Sequence, residues 1–499
     1  MLPLDPKDVF DTKSIVLKNK RNGVQTFSRC YNIKDKTELE LFVKRNLGVY
    51  MPKIYFRCDG LDFKREFSFS YARSEGEYDV YSLVRDVSEI SSSPSLLYFK
   101  ISFSIGDNTM YFASLNNYDG ILTYSPFECD EFKMLVYEGD EYVPTWYTGG
   151  IMYHIFVDRF NKGSVKVPLR ENAILNEDWY DGLPQYPQIP GEPLANNMFF
   201  GGTLYGVAEK LDYLRSLGVS TIYLSPICEA YSNHKYDTGD YKKVDEMFGG
   251  DEAFDTLIAE CNKRDMHVIL DGVFNHTGDD SVYFNKYGTY KKKKGAYESK
   301  RSTYYPWYSF TEHPDSYECW WNIPILPKLN TQKIEVEDFL AGEDGVVAHY
   351  MKKGASGFRL DVADELPDRF LERLRNTVRA ENSDGIVIGE VWENASDKIA
   401  YGKRRSYFKG KQLDGVMNYP IKNGIVEFVK NGNANALYDA VCDIYTSYPH
   451  RNALSLMNIL GTHDTERILT VLATDRYKGI HGDELASLKL LAKNTNAAQ

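Results

Sequence analysis

Four short stretches set carboxylates, imidazoles and a guanidinium at the ends of apolar runs. They are Asp271-Gly-Val-Phe-Asn275-His276, Arg359-Leu-Asp361, Glu390-Val-Trp-Glu393 and Thr462-His463-Asp464. Arg359 and Asp361 stand two residues apart in GFRLD, so an extended chain puts both on one face, among apolar neighbours. Each group alone has an ordinary structural use as a cap, a turn residue, an ion pair or a satisfied core side chain. Four such groups after the third, fourth, fifth and seventh candidate strands are hard to assign to structure. The chemistry they suit is glycoside hydrolysis. Its oxocarbenium-like transition state needs a carboxylate on one face of the sugar and a carboxylic acid at the leaving oxygen. Clustered carboxylates push one pKa upward and keep an acid protonated near neutral pH. Arg359 would hold the attacking carboxylate ionised through charge-assisted hydrogen bonds. His276 and His463 are placed to bond sugar hydroxyls. The sequence shows no phosphate-binding loop, dinucleotide-binding glycine pattern or Ser-His-Asp signature.

These groups need a scaffold that brings strand ends together. Candidate strands at 151–157, 221–225, 267–272, 357–361, 386–390, 414–418 and 454–460 alternate with amphipathic helices. In VAEKLDYLRSLGV, Val207, Leu211, Leu214 and Leu217 form one stripe and Gly218 ends it. Asp251 suits an N-cap, and Pro367 suits the first turn of the helix that follows it. Alternation over this length predicts an α/β architecture with a parallel sheet, either doubly wound or closed as a (β/α)₈ TIM-type barrel. In a barrel the C-terminal strand ends converge on one face, where active sites sit. Residues 277–334, rich in Tyr, Lys and Trp, exceed what a strand-to-helix loop needs and predict an inserted domain.

Residues 1–145 differ. ELELFVKR, KIYFRC, EFSFSYA, YDVYSLV, LLYFKISFSI, NTMYFASL and FKMLVYEG are short alternating runs between turn signals, which predicts an all-β sandwich. The expected order is a β-sandwich over 1–145, barrel over 146–276, inserted domain over 277–345 and barrel again over 346–499.

Bulk properties exclude several partners. A net charge of −12 argues against nucleic acid, and the one basic run, Lys291 to Lys294, is expected to be a solvated loop. No apolar stretch is long enough to span a membrane, and MLPLDPKDVF has no apolar leader segment. Seven scattered cysteines without Cys-x-x-Cys suit free thiols in a reducing, cytoplasmic setting. The 38 Tyr and 26 Phe serve either a β-rich core or sugar-stacking platforms.

DGVFNH, GFRLDVADE, EVWE and THD, in that order, resemble the four short motifs of the α-amylase family, glycoside hydrolase family 13. YHIFVDRF, FFGGTLYGVAEKLDYLRSLGVSTIYLSPI and NHKYDTGDY are similar to its supporting segments. The resemblance covers roughly residues 146–470. It implies a retaining mechanism on α-glucosidic bonds and an inserted domain B after the third strand. It implies Asp361 as nucleophile, Glu390 as acid/base and Asp464 as the carboxylate that stabilises the transition state. Arg359, His276 and His463 would be partners at the cleaved sugar, Asp271 a carboxylate behind them, and Tyr236 the aromatic platform. LPKLN at 326–330 and the N-terminal β domain resemble the neopullulanase and cyclomaltodextrinase group, whose N-terminal module is starch-binding. Asp364-Glu365 after the nucleophile replaces the Lys-His of plain α-amylases. Glu365, Trp320 and Trp321 are then candidates for the acceptor side. The implied activity is hydrolysis of α-1,4 bonds, with α-1,6 bonds as a second target, in maltooligosaccharides, cyclodextrins, pullulan or starch. The alternatives are an α-glucosidase or transglycosylase of the same family, or a non-catalytic glucan-binding fragment. Members of this group pair so that one N-terminal domain covers the partner's cleft, which implies a homodimer.

Two departures shape the expectations. The loop after DRF, NKGSVKV, has no carboxylate, so no calcium site is expected there and no cofactor is expected to be required; Asn275 alone does not secure another calcium position. ELASLKLLAK reads as the seventh barrel helix with no eighth strand after it, so a barrel lacking that strand and the family's C-terminal domain is expected.

Overall fold

The computed structural model describes residues 14–61, 64–125, 127, 130–475, 478–485 and 487. They divide into two compact units. One takes the described residues to Tyr142 with Glu393–Leu413 and Asn423–Leu454; the other takes Val143–Trp392, Asp414–Lys422 and the described residues from Ser455.

In the first unit the alternating stretches pair into a five-stranded and a seven-stranded sheet. Val49–Cys58 shows the pattern that makes them pair: Ile54, Phe56 and Cys58 are buried while Tyr55 and Arg57 are half-buried between them. Leu39 and Leu41 from one sheet share a core with Ile54, Phe56 and Phe99 from the other, which makes the unit a sandwich. Ile15–Arg21, Val24–Thr26, Cys30–Asn32 and Gly120–Thr123 are further strands that the sequence did not announce. The first carries three basic residues in seven and the rest are short, so none shows a clear period.

The second unit holds a parallel sheet of six strands in sequence order: Ile151–Ile155, Val219–Leu224, His267–Gly272, Gly357–Leu360, Ile386–Gly389 and Gly415–Val416. A doubly wound sheet reverses its strand order at a switch point; this one runs in a single direction, as a TIM-type barrel does. The expected strand at 454–460 is reduced to one parallel bridge, Met417 to Met457. The expected seventh helix lies largely outside the described residues. Tyr223, Ile269, Ile386, Ile388 and Met417 fill the inner face.

The helices follow the predicted stripes with local differences. Lys210 splits the first into Leu204–Glu209 and Leu211–Ser216. Between the inserted segment and the fourth strand lie two helices, Ile334–Ala341 and Val346–Lys352, separated by Gly342 and Gly345. Asp251 is not an N-cap: Gly249 takes that place with φ +101°, and Asp251 lies in the first turn, where a carboxylate still favours the helix dipole. Pro367 stands at the N-cap, one place before the first turn of Asp368–Glu381 and with no side-chain cap bond; that helix buries Phe370, Leu371, Leu374 and Val378.

Gly357 opens the strand that carries Arg359. A Cβ there would lie 2.1 Å from the Ile386 carbonyl oxygen, which belongs to the neighbouring strand and cannot yield. Gly357→Ala is therefore expected to lose about 3 kcal/mol or more. A guanidinium-chloride titration checks this; a midpoint matching the parent's would contradict it.

The segment after the third strand is built on aromatic packing. Phe284 meets Tyr297, Tyr308, Phe310 and Tyr317, while Tyr283 stacks on Trp307 at 5.3 Å. Much of the tyrosine excess thus serves a small core. The lysines from Lys291 to Lys294 are exposed. No helix among the described residues is long and apolar enough to cross a membrane.

Candidate active site

Strand register assembles the first part of the site. Asp271 lies directly across from Arg359, and Arg359 across from Ile388, two residues before Glu390. Inward-facing positions of three neighbouring strands therefore deliver Asp271, Arg359 with Asp361, and Glu390 to one place. The Arg359 guanidinium is fully buried and joins all three. Its Nη1 donates to Asp271 Oδ1 at 2.8 Å and to Asp361 Oδ1 at 2.9 Å. Its Nη2 lies 2.8 Å from Glu390 Oε2, an ion pair whose N–H points off the hydrogen-bond line. One cation thus faces three buried carboxyl groups. Burial raises the Asp361 pKa well above the ordinary 3.8; Arg359 opposes the rise and the charges of Glu390 and Asp271 add to it.

A second layer extends from Asp271. Its Oδ2 accepts from Tyr223 at 2.6 Å and from Tyr236 at 2.7 Å. The Tyr236 O–H is then committed to Asp271, so His463, 2.7 Å away through Nε2, must be the donor to the Tyr236 oxygen. The same Nε2 lies 3.1 Å from Asp464 Oδ2. The Tyr236 ring stacks on His463 with centroids 5.1 Å apart. Burial lowers the His463 pKa and raises that of Asp464.

A third group lies on the inserted segment. His276 stacks on Trp320 at 5.4 Å, and Trp320 on Trp321 at 4.9 Å. Trp321 is 72% exposed and holds a left-handed backbone, φ +48°. The side-chain amide of Asn275 contacts His276 Nδ1, which leaves the proton on Nε2; that atom has no hydrogen bond of ordinary geometry among the described residues. Burial pushes the His276 pKa down to about 4, so the ring is a neutral donor at physiological pH. Lys328 of LPKLN, whose backbone bridges to His276, donates to Glu365 at 3.0 Å.

The family model described as "Alpha amylase, catalytic domain" matches residues 154–497. The chain belongs to the α-amylase family. It is 35% identical over 423 residues to an amylopullulanase of Thermoanaerobacterium saccharolyticum, covering 76% of this chain and 32% of that protein. It is 34% identical over 337 residues to neopullulanase 2 of Thermoactinomyces vulgaris, covering 66% and 52%. Among solved structures, the type III pullulan hydrolase from Thermococcus kodakarensis matches 91% of this chain and 75% of that one, at 26% identity and a TM-score of 0.56. The chain thus spans about a third to a half of the length of these curated relatives.

Within this α-amylase-family site, Asp271, Arg359, Asp361 and Glu390 are in direct contact, and Tyr236, His463 and Asp464 follow through Asp271. His276, Trp320 and Trp321 form a second stack, and Glu365 is linked to it through Lys328. The sequence reading missed four participants: Tyr223, His154, Lys328 and Trp392. Tyr223 sits near the end of the second strand and His154 near the end of the first, so the strand-end criterion would have found both had it included neutral and aromatic groups. His154 stacks on Tyr223 at 4.5 Å and bonds Ser225 at 2.8 Å; burial holds its pKa at about 4.

Proposed function

We propose that this chain hydrolyses α-glucosidic bonds by a retaining double displacement. The observation that carries the reading is one guanidinium shared by Asp271, Asp361 and Glu390. Two carboxyl groups held by the two terminal nitrogens of one guanidinium belong to one site, in keeping with the nucleophile and acid/base pair of a retaining enzyme. Asp361 attacks the anomeric carbon while Glu390 gives its proton to the leaving oxygen. The C1–O bond breaks as the Asp361–C1 bond forms. Water then attacks C1, Glu390 takes back a proton, and Asp361 leaves with its electron pair. Asp464 stabilises positive charge on the ring. Every proton and electron pair is handled by these groups and water, so the route calls for no metal ion.

Tyr236, stacked on His463, supports the sugar ring from below, and neutral His276 and His463 bond its hydroxyls. Trp320, Trp321 and Glu365 line the acceptor side. The substrates are α-1,4-linked maltooligosaccharides, cyclodextrins and starch, with the α-1,6 or α-1,4 bonds of pullulan as further targets. The names of the similar proteins, amylopullulanase, neopullulanase and type III pullulan hydrolase, support this range. The N-terminal sandwich is a starch-binding module, and a homodimer is the expected assembly; sedimentation of the whole protein tests the latter. Six described cysteines are free, in keeping with a reducing cytoplasmic setting. Incubation with maltoheptaose and pullulan, followed by proton NMR of the first products, tests the activity. The α-anomer is expected first; a first-formed β-anomer, or no turnover by the whole protein on any α-glucan, refutes the reading.

A further inference from the structure

Glu390 is held by two hydrogen-bond donors and one ion-pair partner, and their arrangement says where its proton must sit. Its side chain is 8% exposed. Oε2 accepts from the Val362 backbone N–H at 2.8 Å and faces Arg359 Nη2 at 2.8 Å. Oε1 accepts from the Trp392 indole Nε1–H at 3.0 Å. Val362, the residue after Asp361, reaches this position with φ +41°, a left-handed conformation that a β-branched side chain resists. Trp392 is fixed as well: its ring stacks on the buried Tyr419 with centroids 4.0 Å apart and planes within 10°.

A protonated carboxyl group has one carbonyl-like oxygen and one hydroxyl. A proton on Oε2 would point at a backbone N–H and a guanidinium, neither of which accepts. The proton therefore belongs on Oε1. There the indole N–H fills one lone pair of the hydroxyl oxygen, so the O–H bond must point away from the indole.

We propose that Trp392 is a positioning residue for the acid step: its indole N–H aims the Oε1 proton of Glu390 at the leaving oxygen. This rests on the reading of Glu390 as the general acid and adds to it which oxygen carries the proton and what orients it. The N–H acts through Glu390 and separately from any contact the ring makes with substrate.

The test uses the whole protein and a series of aryl α-maltosides whose phenol leaving groups span several pKa units. Trp392→Phe keeps the ring on Tyr419 and removes the donor. Its loss in kcat/KM is expected to grow from about twofold for the best leaving group to about twentyfold for phenol, a misaimed acid being worth part of the usual contribution of acid catalysis. Glu390→Gln on the same series separates the two claims. If Glu390→Gln steepens the leaving-group dependence and Trp392→Phe runs parallel to the parent, the indole is a packing or acceptor contact and the proposal falls. If Glu390→Gln does not steepen it, the acid assignment falls and the proposal with it.

Discussion

Asp361→Asn is expected to abolish turnover and to raise thermal stability in the same protein. On the proposed mechanism the attacking carboxylate is gone, so kcat should fall by about 10⁴-fold or more. The shape is kept, and the Asn oxygen still accepts from Arg359 Nη1. What changes is charge: one guanidinium faces three buried carboxyl groups, and replacement removes one of the excess anions. Burial holds the folded Asp361 pKa above the unfolded 3.8, so the native state binds this proton more tightly than the unfolded chain does. Ionising Asp361 as the pH rises above 3.8 therefore costs stability, and that cost is largest once the pH passes the folded pKa. Asn does not bear it. The variant should be more stable by about 1–2 kcal/mol near neutral pH, an ordinary gain when a functional charge is relieved. The difference should vanish near and below 3.8, where Asp361 is neutral in both states. The same elevation sets an acid limb of activity above the range of an ordinary carboxylate. Denaturation midpoints against pH for parent and variant measure this. A variant less stable than the parent at neutral pH would show that Arg359 more than compensates the burial.

Arg359→Met acts in the opposite sense. Methionine fills part of the volume but leaves Asp271, Asp361 and Glu390 buried together without a cation. Removing one partner of a buried ion pair typically costs about 3–5 kcal/mol, because the remaining charges are uncompensated. Activity should disappear with it, since Asp361 then takes up a proton and is no longer an anion able to attack. Acid should partly restore stability, because protonating the three carboxyls removes the repulsion. Arg359→Lys should recover little: a single ammonium cannot span three carboxyls in the fixed fork of a guanidinium. Urea titrations near neutral and at mildly acid pH report both effects. Equal losses at the two pH values would contradict the charge account.

The sequence disclosed the parts of this site that depend on period and strand ends. Arg359 and Asp361 were legible because two residues of extended chain return to one face. Asp271 and Glu390 were legible because apolar runs ended on them. Contacts set by register between strands were not. Tyr223, which donates a hydrogen bond to Asp271 at 2.6 Å, reads in sequence as one more strand aromatic. The bond from Trp392 to Glu390 depends on a ring orientation fixed by Tyr419, far along the chain. Lys328 was visible as a motif residue, but its partner Glu365 lies across the site. In the fold, the charged first strand and the glycine breaks in the helices were hidden because short or mixed segments have no period to detect.

The most direct measurement concerns Asp361 itself. Incubating the protein with 5-fluoro-α-glucosyl fluoride slows the second displacement and lets a glycosyl-enzyme accumulate; digestion and mass spectrometry then locate the added sugar. The expected result is one hexose-derived label on the peptide that contains Asp361, absent from the Asp361→Asn variant. A label on any other carboxylate, or turnover of the reagent with inversion and no label, would contradict the central claim.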